Sequence, residues 1–173
     1  FRGYQFLLKS EHLSSLDLHN YNEILMGGKS CITDSLLYLC ELLCRHYGKK
    51  VIVLMDEYDA PMISAYVSGY YEKAVDFFKD FMSNTFKTND YLEMGIITGV
   101  SRVSRESIFS DMNNVQVYSV LSDDFNDKFG FTPKEVTDIL RYYGYPDKEE
   151  EVRNYYDGYR FGNTDIFNPW SVI

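Results

Sequence analysis

The chain has 173 residues, of which 45% are hydrophobic and 17% aromatic. That excludes a disordered tail and supplies one buried core, or one core with a small appendage. Seventeen Lys and Arg against 26 Asp and Glu leave a formal charge of -9, which argues against a surface built to coat nucleic acid, because phosphate binding needs clustered cations.

No uncharged apolar run reaches the ~20 residues of a membrane-spanning helix. The opening Phe1-Arg2-Gly3-Tyr4 leads into mixed polar sequence, unlike a cleavable signal. The chain starts at Phe1 and stops at Trp170-Ser171-Val172-Ile173, which reads as a helix just beginning, so both ends read as interior to a longer protein. Cys31, Cys40 and Cys44 are an odd set. Cys40 and Cys44 stand one helical turn apart in an apolar stretch, as small buried thiols of a reducing cytoplasm do, and only His46 is near enough in sequence to join a metal site.

In chain order, Phe6 to Met26 predicts one or two short helices. Leu36, Leu37, Leu39, Cys40, Leu43, Cys44 and Tyr47 recur at helical spacing, with Ser30 or Thr33 to cap the start and Gly48 to end it. Val51 to Met55 is short, apolar and rich in β-branched residues, as a strand buried on both faces of a parallel sheet would be. A turn is predicted at Asp59-Ala60-Pro61. Tyr70 to Phe86 predicts an amphipathic helix with Ala74, Phe77, Phe78, Phe81 and Met82 inward. Leu92 to Thr98 is a second strand, Arg105 to Asp111 a short helix, and Val115 to Val120 a third strand. Thr132-Pro133-Lys134-Glu135 is a capping box that opens a helix through Tyr142. An acidic helix runs from Asp147 to near Tyr156. Tyr159 to Phe167 predicts a hairpin turning at Asn163-Thr164, and Asn168-Pro169 caps a final helix. Strands alternating with helices imply an α/β fold with a parallel sheet and flanking helices. The predicted division is 1–131 for this core and 132–173 for a small helical part with a hairpin.

The strongest local signal is Val51-Ile52-Val53-Leu54-Met55-Asp56-Glu57. A buried strand delivers two carboxylates at its carboxyl end, where open α/β sheets bind ligands. This is the Walker B pattern of P-loop ATPases. Asp56 would face the Mg²⁺ on a nucleotide's phosphates, and Glu57 would polarise the attacking water. The rival reading is a solvated acidic turn. The neighbouring strand ends at Thr98-Gly99-Val100-Ser101-Arg102. Thr98 and Arg102 are candidates to read the γ-phosphate, through a hydroxyl and a guanidinium; against that stand an ordinary strand-end residue and a surface ion pair.

Three other patterns fail on inspection. Gly27-Gly28-Lys29-Ser30 has the tail of a P-loop, but Glu23 stands where the pattern needs glycine. Gly99-Val100-Ser101-Arg102-Val103 starts like a nucleophile elbow but lacks the closing glycine, and His12, His19 and His46 all precede Ser101. No lysine has Asp or Glu two residues before it, which counts against a self-contained restriction-type nuclease site.

Five segments taken together carry a resemblance. They are Val51 to Ala65, Thr98 to Asn114, Phe129-Gly130-Phe131-Thr132, Tyr156-Asp157-Gly158-Tyr159-Arg160-Phe161-Gly162, and Asn168-Pro169-Trp170-Ser171. In this order they resemble the bacterial AAA-ATPase-like proteins that carry a PD-(D/E)XK nuclease-superfamily domain at their carboxyl end. The resemblance runs from Ser30 to Ile173. In that family a P-loop lies towards the amino end and the nuclease-like domain follows the Asn-Pro-Trp-Ser segment, so this chain resembles the stretch between them. The resemblance implies the Walker B half of a partial P-loop NTPase core, followed by a lid-like or linker part. It implies Mg²⁺ and ATP as cofactors of the complete protein, Asp56 beside the metal, Glu57 as the catalytic carboxylate, and Thr98 and Arg102 in the sensor region. Asp59 is open between turning the chain before Pro61 and a site role. Arg105 and Glu106 are open between an ion pair and a phosphate contact. The Tyr156-to-Gly162 segment is open between a structural hairpin and a contact surface for the nuclease-like domain.

The expectation is therefore a piece of a cytoplasmic AAA-like ATPase, inactive by itself. The complete protein would hydrolyse Mg-ATP, gate a nuclease-like domain, and meet nucleic acid only through that domain. An exposed sheet edge would leave the piece open to self-association. Two rivals stand beside it. One is a non-catalytic protein-interaction module with relic carboxylates, suited by its 16 tyrosines. The other is an independent metal-dependent phosphohydrolase using Asp56, Glu57 and Asp59.

Overall fold

The computed structural model describes residues 1–28, 32–100, 108–109, 112, 115–155 and 158–172. The chain falls into two compact units, Phe1–Val115 and Gln116–Ile173. It is a mixed α/β protein with a small two-stranded parallel sheet.

The first unit opens with a 3-10 helix, Arg2–Lys9, that buries Leu7. Helix α1 (Ser15–Leu25) starts on a capping box. The Ser14 hydroxyl accepts from the Asp17 amide at 3.2 Å, and the Asp17 carboxylate accepts from the Ser14 amide at 2.8 Å. These are the short helices expected over Phe6 to Met26. Helix α2 (Ser35–Tyr47) ends on Gly48 at φ +65°, where glycine closes the helix without steric cost. Its start differs from expectation. Asp34 holds the cap position, Thr33 lies in the preceding turn, and Ser30 is outside the described residues. Leu42 is fully buried with Leu7, Tyr21 and Leu39, whereas Tyr47 is exposed. The 3-10 helix and α1 cover the Leu42 side of α2, which one inward stripe had left out.

Strand β1 (Val51–Met55) and strand β2 (Leu92–Ile97) pair in parallel. Ile52 stands opposite Met94, Val53 opposite Gly95, Leu54 opposite Ile96, and Met55 opposite Ile97. The crossover carries α3 (Ala60–Val67) and α4 (Tyr71–Phe86). The expected turn at Asp59-Ala60-Pro61 is thus the start of a helix. Pro61 suits its first turn, where an N–H would have no partner. Along α4, Val75, Met82 and Thr85 are buried, Ala74, Phe78 and Phe81 pack partly buried around Met62 and Ile108, and Phe77 is exposed.

Burial of β1 on both faces does not hold. On one face Val53 is 7% exposed, and Gly95 lies so close under the Phe86 ring that a Cβ there would come within 2.5 Å of it. On the other, Ile52, Leu54, Met94 and Ile96 are 57%, 73%, 52% and 46% exposed. The helices of the crossover and α2 serve a single side. The expected third strand also fails: Val115 to Val120 pairs with no strand among the described residues, and Val115, Val117, Tyr118 and Val120 are exposed. An alternating apolar pattern makes a strand only where a partner satisfies its backbone groups. The helix expected at Arg105 to Asp111 lies mostly outside the described residues.

In the second unit the Thr132–Glu135 capping box forms as read and opens α5 (Pro133–Tyr142). A 3-10 turn, Pro146–Lys148, precedes α6 (Glu149–Tyr155). Strands β3 (Tyr159–Phe161) and β4 (Thr164–Ile166) form an antiparallel hairpin. It turns at Gly162-Asn163, one residue before the expected place, with Gly162 at φ +53°. The Asp123 carboxylate receives the Asn163 amide at 3.1 Å and its Nδ2 at 2.9 Å, while the Gly162 amide donates to the Val120 carbonyl at 2.8 Å. A Cβ on residue 162 would meet Ser122 O and Asp123 Oδ1 at 2.6 Å, so glycine is required there for space as well as conformation. Phe131 and Phe167 exchange both backbone hydrogen bonds, and Val136, Ile166 and Phe167 are buried. Helix α7 (Pro169–Val172) follows Asn168, whose side-chain oxygen accepts the Trp170 amide.

Candidate functional site

β1 and β2 run in the same direction, so their carboxyl ends lie side by side. Backbone hydrogen bonds continue past both strands. The Thr98 amide donates to the Met55 carbonyl at 2.8 Å, and the Thr98 carbonyl accepts the Tyr58 amide at 3.0 Å. The segment Asp56-Glu57 is therefore held between two bonds to one residue of the neighbouring strand. Glu57 takes φ +52°, in the left-handed region that side chains rarely adopt. Its amide donates to Asp56 Oδ1 at 3.0 Å, and the Thr98 hydroxyl donates to the same oxygen. Among the described residues, Asp56 Oδ2 receives no hydrogen bond, and the carboxylates of Asp56 and Glu57 are exposed.

Asp59 sits in a different setting. It is the cap residue of α3, and its carbonyl accepts the Met62 and Ile63 amides at 3.0 Å. Its side chain is buried and does not cap the helix. The Tyr58 ring packs edge-on to Phe109, with centroids 5.4 Å apart. Gly99 fits beneath this pair. A Cβ there would lie 2.6 Å from the Tyr58 ring and 2.7 Å from Asp59 Oδ1. The one sequence signal for the close packing at Gly99 is a glycine directly after the polar strand end.

Asp56, Glu57 and Thr98 thus come together, and Asp59 lies behind them at the start of α3. Arg102, Arg105 and Glu106 lie outside the described residues. No group of three His, Cys, Asp or Glu side chains among the described residues is arranged to hold a metal ion, so the independent three-carboxylate reading gains no support. Among the described residues, no helix is long and apolar enough to cross a membrane.

This arrangement, a parallel α/β pair with carboxylates at the strand ends, falls inside the region matched by a protein family. The family described as "Predicted AAA-ATPase" matches residues 5–109, more than half the chain, and the chain belongs to it. The family suggests nucleotide binding. The chain is also 26% identical over 131 residues to an "Uncharacterized protein in vnfD 5'region" of Azotobacter chroococcum mcd 1. That alignment takes in 73% of this chain and 24% of the relative, so the chain spans about a quarter of the relative's length. No solved structure matches it.

Proposed function

We propose that this chain is the Walker B half of an AAA-like P-loop ATPase core. In this reading residues 1–131 form that half and 132–173 a lid-like or linker part. The observation that carries it is the coupling of two parallel strand ends inside the matched family region: the Asp56-Glu57 pair leaves β1 and is tied to Thr98 at the end of β2. The exposed Ile52-Leu54-Met94-Ile96 face supports it, because parallel sheets are ordinarily covered on both sides. That face, and the outer edges of β1 and β2 that pair with no further strand among the described residues, offer a place for the remainder of such a core.

Asp56 offers hard carboxylate oxygens in water-accessible surroundings, which suits a magnesium ion that keeps most of its waters and phosphate ligands. Mg²⁺ would supply charge neutralisation on the β- and γ-phosphate oxygens. Glu57, one residue on, would orient and polarise the attacking water. Arg102 would stand on the phosphate side of this rim, with Thr98 beside Asp56. Turnover would act on the nuclease-superfamily domain implied beyond Asn168-Pro169-Trp170-Ser171, and any nucleic-acid contact would belong to that domain.

The chain alone is expected to give no ATP turnover, because the P-loop's backbone donors and lysine are needed to hold the phosphates. A longer form carrying a P-loop is expected to hydrolyse Mg-ATP. Glu57→Gln should lower kcat at least 100-fold and leave nucleotide binding within about 3-fold. Full activity in that variant, or Mg²⁺-dependent hydrolysis by the 173-residue chain, would overturn the assignment. Unchanged partner binding with no nucleotide binding by any form would favour the interaction-module alternative.

A further inference from the structure

Thr98 makes three hydrogen bonds to the segment that carries the acidic pair. Its amide reaches Met55, its carbonyl takes Tyr58, and its hydroxyl donates to Asp56 Oδ1. The first two fix the Thr98 backbone against residues on either side of Asp56-Glu57. The third uses the only hydroxyl proton Thr98 has. That proton is therefore committed to a carboxylate and is not available as a donor to a phosphate oxygen. The same Asp56 oxygen also takes the Glu57 amide. Two donors on Oδ1 leave Oδ2, which receives no hydrogen bond among the described residues, as the oxygen with open lone pairs, and they restrict rotation of the carboxylate about its side-chain bonds.

We infer that Thr98 is a positioning residue: its hydroxyl turns Asp56 so that Oδ2 is the oxygen presented to a divalent cation, and it acts through Asp56 rather than by contacting nucleotide. The inference rests on the Walker B reading for what Oδ2 meets. Its geometric half, the aim of the carboxylate, does not depend on that reading. A β-branched residue suits the place, since it sits at the end of a strand where its backbone bonds are already made.

Two measurements test it. In the isotope-labelled chain, three-bond couplings of Asp56 are expected to report one χ1 rotamer in wild type and in Thr98→Ser, and averaged rotamers in Thr98→Val. In the full-length protein, the Mg²⁺ concentration needed for half-maximal binding of the fluorescent analogue mant-ATP is expected to rise about 5-fold in Thr98→Val and to return near wild type in Thr98→Ser. Metal-free mant-ATP affinity should not change, which separates positioning from a general loosening of the strand. Thr98→Cys, close in shape but a poor donor, replaces Thr98→Val if that variant does not fold. A single Asp56 rotamer in the donor-lacking variant sinks the inference whatever nucleotide does. An unshifted Mg²⁺ requirement in Thr98→Val sinks it too, provided Asp56→Asn does shift. If Asp56→Asn leaves the Mg²⁺ requirement unchanged, the Walker B reading falls and takes the metal-facing half of the inference with it.

Discussion

Asp17 shows how a single residue holds the first unit together. It closes the α1 capping box through Ser14, and it pairs with Arg45 of α2 at 3.1 Å. Partial burial pushes its carboxyl up, but the Ser14 amide and hydroxyl, the Arg45 charge and the Tyr38 hydroxyl outweigh that and hold it below the ordinary value of 3.8. The Tyr38 hydroxyl is itself pushed up to about 12, first by burial and then by the Asp17 charge, so it remains a donor. A depressed carboxyl contributes stability above its unfolded pKa, and that contribution is lost as pH falls through the folded value. Acidification from pH 5 to pH 2 is therefore expected to lower the stability of the wild-type protein through this group, a loss absent in Asp17→Asn. Chemical denaturation across that pH range checks it; parallel curves for the two proteins would contradict it. Gly99 is the second residue with a sharp expectation. A methyl there collides with both Tyr58 and Asp59, so Gly99→Ala should destabilise by about 1–3 kcal/mol in urea melts.

At the scale of elements, each β1 side chain belongs to a covered or an uncovered face. Val53→Ala should cost about 1–2 kcal/mol, since it removes two methyl groups from the buried face of β1. Leu54→Lys should stay within about 0.5 kcal/mol of wild type in this chain, because Leu54 already meets water. In a longer form whose remaining core covers that face, the same change should cost several-fold more. Urea melts of both forms make the comparison, and equal small costs would contradict the covered-face reading. In the second unit, Asp123→Ala should lower stability by about 1 kcal/mol by releasing Asn163 from the hairpin turn. This gives Gly162 and Asn163 of the Tyr-Arg-Phe-Gly-Asn stretch a structural task, whatever surface the tyrosines offer.

For the whole molecule, local patterns were the legible part. The α2 stop at Gly48, the strand at Val51 to Met55, its parallel neighbour, the Thr132–Glu135 box and the hairpin all follow from residues close in sequence. Facts that depend on absent or distant neighbours were not legible. The β1 composition says what both faces would tolerate, not which one is covered. Val115 to Val120 has strand chemistry but pairs with no strand among the described residues. Pro61 reads equally as a turn or a helix start, and only the burial of Met62 and Ala65 decides for α3. At the candidate site, the adjacency of Asp56 and Glu57 was plain, but the Thr98 bond to Asp56 needed the register of two strands about forty residues apart. The chain spans 24% of its relative, and an acidic pair at one rim of a half-covered sheet suits a part whose counterpart lies elsewhere in a longer protein.

The most direct measurement is an experimental structure of a longer form bound to Mg²⁺ and a non-hydrolysable ATP analogue. The γ-phosphate is expected at the carboxyl ends of β1 and β2, with Asp56 on the metal's side, Glu57 facing the attacking-water position, and the Ile52-Leu54 face covered. Nucleotide bound away from these strand ends, or the Asp56-Glu57 pair turned from it with that face still open to solvent, would contradict the account.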